Sequence, residues 1–252
     1  MEPKRPPRDY LIRAQRPGVE LRSAKDGGMP TMFGYFARIG EWARISSMWE
    51  GDFMERSERG SFVKTIKENR ANMRVTLNHG SDPVAGDKPL GPITELREDE
   101  TGPYYEVPLL NTSYNHDILP GLEAGLYGAS RRLRVMKERF VEKPGRSDHN
   151  PEGIPERTIL EEAVEEFGPV TFPAYQGASA GVRSLTDDYI VRQLMGDPDK
   201  LAQLMAHYSR TALPGAESAT HSEVGSRVLA PVPVKRRFQT QEGFLSWLND
   251  RA

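Results

Sequence analysis

Gly125-Leu126-Tyr127-Gly128-Ala129-Ser130-Arg131-Arg132-Leu133-Arg134-Val135 sets one serine between small residues on its N-terminal side and an alternating basic and apolar run on the other. Leu133 and Val135 alternate with Arg132 and Arg134, the period of two expected of a half-buried strand. Gly125 and Gly128 allow turns or close approaches that a residue with a Cβ resists. Ser130 therefore falls where a turn feeds a strand, with room above its hydroxyl. Serine is also a common turn residue, so this stretch leaves two readings open, a nucleophile or a turn ending. The rest of the chain has to supply the difference.

Working upstream, Asp117 to Leu126 carries Ile118, Leu122 and Leu126 at helical spacing, with Asp117 as the expected N-cap and Pro120 in the first turn. Leu90–Leu96 and Tyr104–Leu110 read as strands of a hairpin around Asp99-Glu100-Thr101-Gly102. Met73 to Gly80 alternates as a strand ending on Asn78-His79-Gly80, and Phe62, Val63 and Ile66 have the spacing of a short helix. Met32 to Ile39 is an aromatic-rich strand. Downstream, Lys143–Arg157 is a polar loop. Thr158–Phe167 then reads as a strand rather than a helix, because Pro169 and Pro173 bracket an extended continuation.

These segments predict a core domain over residues 29–185. Residues 1–28, rich in Pro, Arg and Gly and without periodicity, read as a flexible leader. A helical extension is expected over 186–212, where Asp197-Pro198 forms a helix start. A Ser/Ala/Gly/Pro linker follows over 213–239, and a short amphipathic helix over 240–252 presents Phe244, Trp247 and Leu248 on one face.

Composition narrows the function classes. In 252 residues, 37% are hydrophobic and 28% charged, which suits a real core with polar flanks. A net charge of −2 argues against a nucleic-acid binder, since such domains carry a basic excess. No apolar run approaches the ~18 residues of a membrane span. The basic N-terminus leads into no apolar segment and does not read as a secretory signal. The chain has no cysteine, so disulfides, thiolate nucleophiles and cysteine-based zinc sites are excluded. No cofactor motif is present: Walker-type, GxGxxG and Gly-x-Ser-x-Gly patterns are missing, and His79 with Asp82 is too sparse for a metal site.

A serine hydroxyl needs a neighbouring base. Of five histidines, His79 and His116 fall at structured boundaries of the core. His79, ending a strand before a glycine, is the better candidate. A third group should fix the base's tautomer and stabilise its charged form. Glu166, directly before the strand Phe167–Ala174, is the choice, with Glu161, Glu162, Glu165 and His116 as alternatives. Arg131 and Arg132 are candidates for oxyanion or substrate binding, through backbone amides or a guanidinium.

With these residues in hand, the chain resembles the prohead (capsid maturation) serine proteases of tailed bacteriophages, relatives of the herpesvirus assemblin proteases. The resemblance rests on Gly34-Tyr35-Phe36-Ala37, Gly60-Ser61-Phe62, Leu77-Asn78-His79, Leu90-Gly91, Gly125 to Ser130, and Glu166 through Ala174. Two departures stand out, Phe167-Gly168 after Glu166 and the charged pair after Ser130. The resemblance implies an α+β fold, an antiparallel β-barrel surrounded by helices, with Ser130 and His79 catalytic and Glu166 as third member. It also implies a serine endopeptidase in the host cytoplasm, packaged inside the procapsid. There it would process the major capsid protein, its scaffold or delta segment, and itself, with a homodimer as one option. The alternative is a non-catalytic, scaffold-like assembly protein that binds capsid subunits through its terminal helices. The two differ in whether His79 and Ser130 approach hydrogen-bonding distance.

Overall fold

The computed structural model describes residues 5–15, 19–24, 27–172 and 182–195. The chain divides into two units, Met1–Gln203 and Leu204–Ala252, and all described residues belong to the first. Its elements are, in order, β1 (Leu11–Gln15), β2 (Glu20–Arg22), β3 (Thr31–Tyr35), β4 (Ala43–Ser47), β5 (Gly51–Ser57), α1 (Val63–Asn69) and β6 (Arg74–Val75). They continue with β7 (Glu95–Glu98), β8 (Pro103–Pro108), α2 (Ser113–Glu123), β9 (Gly128–Val141), β10 (Glu156–Val170), β11 (Val182–Ser184) and α3 (Thr186–Met195). No helix among the described residues is long and apolar enough to cross a membrane.

The alternation after Ser130 belongs to β9, which pairs antiparallel with β10 over almost its whole length, from Gly128 opposite Val170 to Val141 opposite Glu156. Leu133 and Val135 are buried and Arg134 is exposed, as a period of two requires. This pair is the spine of a sheet ordered β11-β1-β9-β10-β5-β4, with β6 also against β10. A second sheet is ordered β2-β3-β8-β7. Met32 (β3), Tyr105 and Val107 (β8), Val75 (β6), Ala129 (β9), Phe167 (β10) and Leu122 (α2) share one hydrophobic core. Phe36 stacks on Phe167 at its centre, ring centroids 4.4 Å apart.

The α+β class stands, but the expected barrel surrounded by helices does not. Among the described residues the strands form two open sheets, and three α-helices are too few to enclose them. The reason lies at the rim. The outer strands β11 and β4 share no ladder; instead Asp187 of α3, just after β11, holds the end of β4, its carboxylate accepting from Ser47 Oγ (2.6 Å) and the Met48 amide (2.8 Å). Side-chain bonds bring the edges together without closing the sheet.

The leader expected over residues 1–28 is also corrected. Leu11–Gln15 is an internal strand, paired with β9 on one side and β11 on the other, and all five residues are buried. Its alternation is disguised because Arg13 points inward. The Arg13 guanidinium, fully buried, donates to Glu55 Oε1 (2.6 Å) and Glu50 Oε2 (2.6 Å). Arg157, equally buried, pairs with Glu55 (3.2 Å) and Glu138 (3.1 Å). Buried charges survive only when paired in this way. The helix before Ser130 starts at Ser113, earlier than expected, so Pro120 lies in its interior rather than its first turn. The start of the helical extension is α3. The linker and terminal helix expected over 213–252 lie outside the described residues.

Two outcomes follow from the buried ion cluster. Arg13→Ala removes the arginine partner of Glu50 and one of the two of Glu55, and is expected to lower stability by about 3–5 kcal/mol in urea unfolding. Burial pushes the Glu55 carboxyl up, but Arg13, then Arg157 and Arg131, outweigh burial and hold it at about 2. A carboxyl depressed on folding stabilises above its unfolded value (~4.3). That stabilisation is lost as pH falls through the folded value. Unfolding free energy should therefore hold near neutrality and decline between about pH 4.5 and pH 2, with a smaller decline in Glu55→Gln.

Candidate active site

Ser130 lies on β9 between two partners, opposite Ala14 of β1 and Gly168 of β10. It is fully buried. Its Oγ is 3.0 Å from the carbonyl oxygen of Arg13 and 2.7 Å from His79 Nε2.

His79 reaches it along β10. Strand β6 runs parallel to β10, Arg74 beside Glu166 and Val75 beside Phe167, and the Thr76 amide then donates to the Phe167 carbonyl (3.2 Å). The chain turns sharply at Asn78 and His79, both in the left-handed region with φ of 50° and 58°. Asn and His tolerate that region better than most residues, and such backbone clusters at functional sites. Asn78 holds the turn to the end of β10, accepting from the Thr171 amide (3.0 Å) and donating to Thr171 Oγ1 (3.1 Å).

This approach requires Gly168. A Cβ there would lie 2.0 Å from the Thr76 carbonyl oxygen. The Phe167-Gly168 pair, a departure in sequence, thus has a physical basis: Phe167 fills the core and Gly168 lets the histidine-bearing segment lie against the strand.

Glu166 completes the line. Its Oε2 is 2.6 Å from His79 Nδ1, and its Oε1 accepts from Thr76 Oγ1 at 2.7 Å. The side chains of His79 and Glu166 are 6% and 4% exposed, so both bonds are shielded from water. A carboxylate on Nδ1 leaves Nε2 as the acceptor facing a hydroxyl, the tautomer a general base needs. The expected trio is therefore brought together. The alternatives are elsewhere: His116 of α2 bonds Asn111, Glu161 pairs with Lys64 and Lys137, Glu162 with Arg131, and Glu165 with Arg132 and Arg134.

The two arginines part company. Arg131 faces away from Ser130, as neighbours on a strand do, and pairs with Glu162 (2.8 Å) in a buried contact. Arg132 shares the serine's face and donates to Tyr189 Oη (3.1 Å). The amides of residues 130–132 run between two antiparallel partners, where regular pairing uses them in the ladders. Thr76 was not singled out from sequence. The one available signal was its place three residues before His79 in an alternating strand. From α3, Tyr189 sets its ring edge-on to His79 (centroids 6.4 Å apart), and Leu185, Tyr189 and Arg192 line a cavity with Asn78, His79 and Val170.

A serine, a histidine and a glutamate in a hydrogen-bonded line is the side-chain arrangement used by serine hydrolases. The chain belongs to the caudovirus prohead serine protease family, whose model matches residues 18–189. Among solved structures it is similar to the bacteriophage T4 capsid assembly protease, gp21, at 12% identity. The match covers 66% of this chain and 98% of that one, with a TM-score of 0.43. No curated protein matches the chain.

Gly168→Ala is expected to cost about 1–3 kcal/mol or more by overpacking against Thr76. Gly145→Ala, where a Cβ meets open space, serves as the control. Thermal unfolding of the two variants checks the difference.

Proposed function

We propose that this chain is a serine endopeptidase that cuts the major capsid protein's scaffold or delta segment, and itself, inside the procapsid. The carrying observation is the 2.7 Å contact between Ser130 Oγ and His79 Nε2, backed by Glu166 on the far nitrogen. Family membership supports the protease assignment, and the geometry supports the roles of the individual residues.

Ser130 attacks the scissile carbonyl as His79 Nε2 takes its proton. A tetrahedral oxyanion forms, and the His79 imidazolium is stabilised by the Glu166 carboxylate. His79 then protonates the leaving amine, releasing the first product and leaving an acyl-serine. Water enters, His79 removes its proton, and the acyl group departs as a carboxylic acid while Ser130 recovers its hydrogen. Arg132, on the serine's face, is the candidate for holding the oxyanion or the substrate backbone. Arg131, committed to Glu162, contributes through the fold. A low-dielectric setting strengthens each of these interactions.

Ser130→Ala, co-expressed with a major capsid protein that carries its scaffold segment, should leave that protein uncut, a fall of ~10⁴ or more in turnover. Mass spectrometry of the termini maps the cut made by the parent chain. Undiminished processing by Ser130→Ala would overturn the reading in favour of a scaffold-like assembly role.

A further inference from the structure

Resting on that reading, we propose that Thr76 is a positioning residue of the catalytic group, its hydroxyl fixing the carboxylate of Glu166 so that one oxygen stays on His79 Nδ1.

The Glu166 carboxylate divides its oxygens. Oε2 faces His79 at 2.6 Å, and Oε1 receives the Thr76 hydroxyl at 2.7 Å. Both residues are buried, Thr76 at 4% exposure and Glu166 at 3%. Two short bonds from opposite sides remove the carboxylate's freedom to rotate about its last torsion. Without the hydroxyl, Oε1 would be a buried charged acceptor with its donor gone, a loss worth more than that of a neutral bond. The carboxylate would then turn toward another donor, and Nδ1 would lose its fixed partner.

Thr76 is itself held in place. Its amide donates to the carbonyl of Phe167, the residue next to Glu166, so donor and acceptor share one local frame. Its neighbours Val75 and Leu77 are both buried. The bare Cα of Gly168 fits against the Thr76 carbonyl. A β-branched side chain has few χ1 choices, so the hydroxyl direction follows from the backbone. The same short segment carries the base three residues on. Thr76 therefore ties the base-bearing segment to the acid that orients the base. An ångström of misplacement at such a group can cost ~100-fold in rate.

The test uses the full chain and a synthetic peptide spanning the cut mapped with the capsid protein. Thr76→Val keeps the shape and removes the donor, Thr76→Ser keeps the donor, and Thr76→Ala is a second deletion should the valine disturb folding. The valine and alanine variants are expected to lose about 10–100-fold in kcat, the range seen when a partner behind a working ligand is removed. KM should stay within about threefold, and the serine variant within about threefold of the parent in kcat. Melting temperatures establish that each variant is folded. A role in stability alone predicts normal kcat in whatever fraction is folded. Parental kcat in folded Thr76→Val or Thr76→Ala would overturn the assignment, as would Thr76→Ser falling as far as valine or a loss confined to KM. Absence of Ser130-dependent cleavage by the parent would instead overturn the proposed function, and this inference with it.

Discussion

The site depends on how closely one backbone can approach another at Gly168. That residue faces Ser130 across the β9–β10 ladder and, on its bare side, meets the carbonyl of Thr76. One position in β10 thereby sets two distances, serine to strand and histidine segment to strand. Glu166, two residues earlier on the same strand, is placed by the same register. A one-residue slip of β10 would turn its side chains to the opposite face, taking the acid from His79. The precision of the hydrogen-bonded line is thus a property of the sheet, and the strained turn at Asn78 and His79 is tolerated because Thr171 pins it.

A second constraint lies one strand further out. β1 carries the Arg13 carbonyl within reach of Ser130, and the Arg13 side chain anchors that strand in a buried cluster with Glu50 and Glu55. The cluster joins β1 to β5 and to the turn between β4 and β5, and Arg157 extends it to β10 and to Glu138 of β9. Charge pairing here does work that aliphatic packing does in the main core. Removing one member exposes the others to the full cost of desolvation, so the cluster holds together only as a set.

The sequence made the long strands legible because their faces differ in polarity. Leu133 and Val135 against Arg132 and Arg134 located β9, and the prolines after Phe167 correctly favoured an extended β10. His79, Ser130 and Glu166 were legible as residue types at element boundaries, and the resemblance supplied their order. What stayed hidden has physical causes. β1 was masked because a buried arginine looks like a solvent-facing one until its partners are known, and those lie about forty residues away. The start of α2 was placed late because Asp117 resembles a cap, whereas Thr112 and the buried Asn115, bonded to the Leu90 and Leu110 carbonyls, begin the helix earlier. Arg131 and Arg132 look equivalent in sequence, and they are separated by their opposite faces of β9, Arg131 pairing with Glu162 and Arg132 donating to Tyr189. Thr76 stayed hidden because a threonine in a strand is ordinary, and its place three residues before His79 is a weak signal.

The strand bearing Ser130 has β1, from the beginning of the chain, on one flank and β10, from forty residues later, on the other. During synthesis Ser130 therefore leaves the ribosome well before Glu166. Until residues near 170 have been made and threaded into register, no imidazole can be held against that hydroxyl. The line from Glu166 through His79 to Ser130 is complete only once β10, the last long strand, has docked against β9.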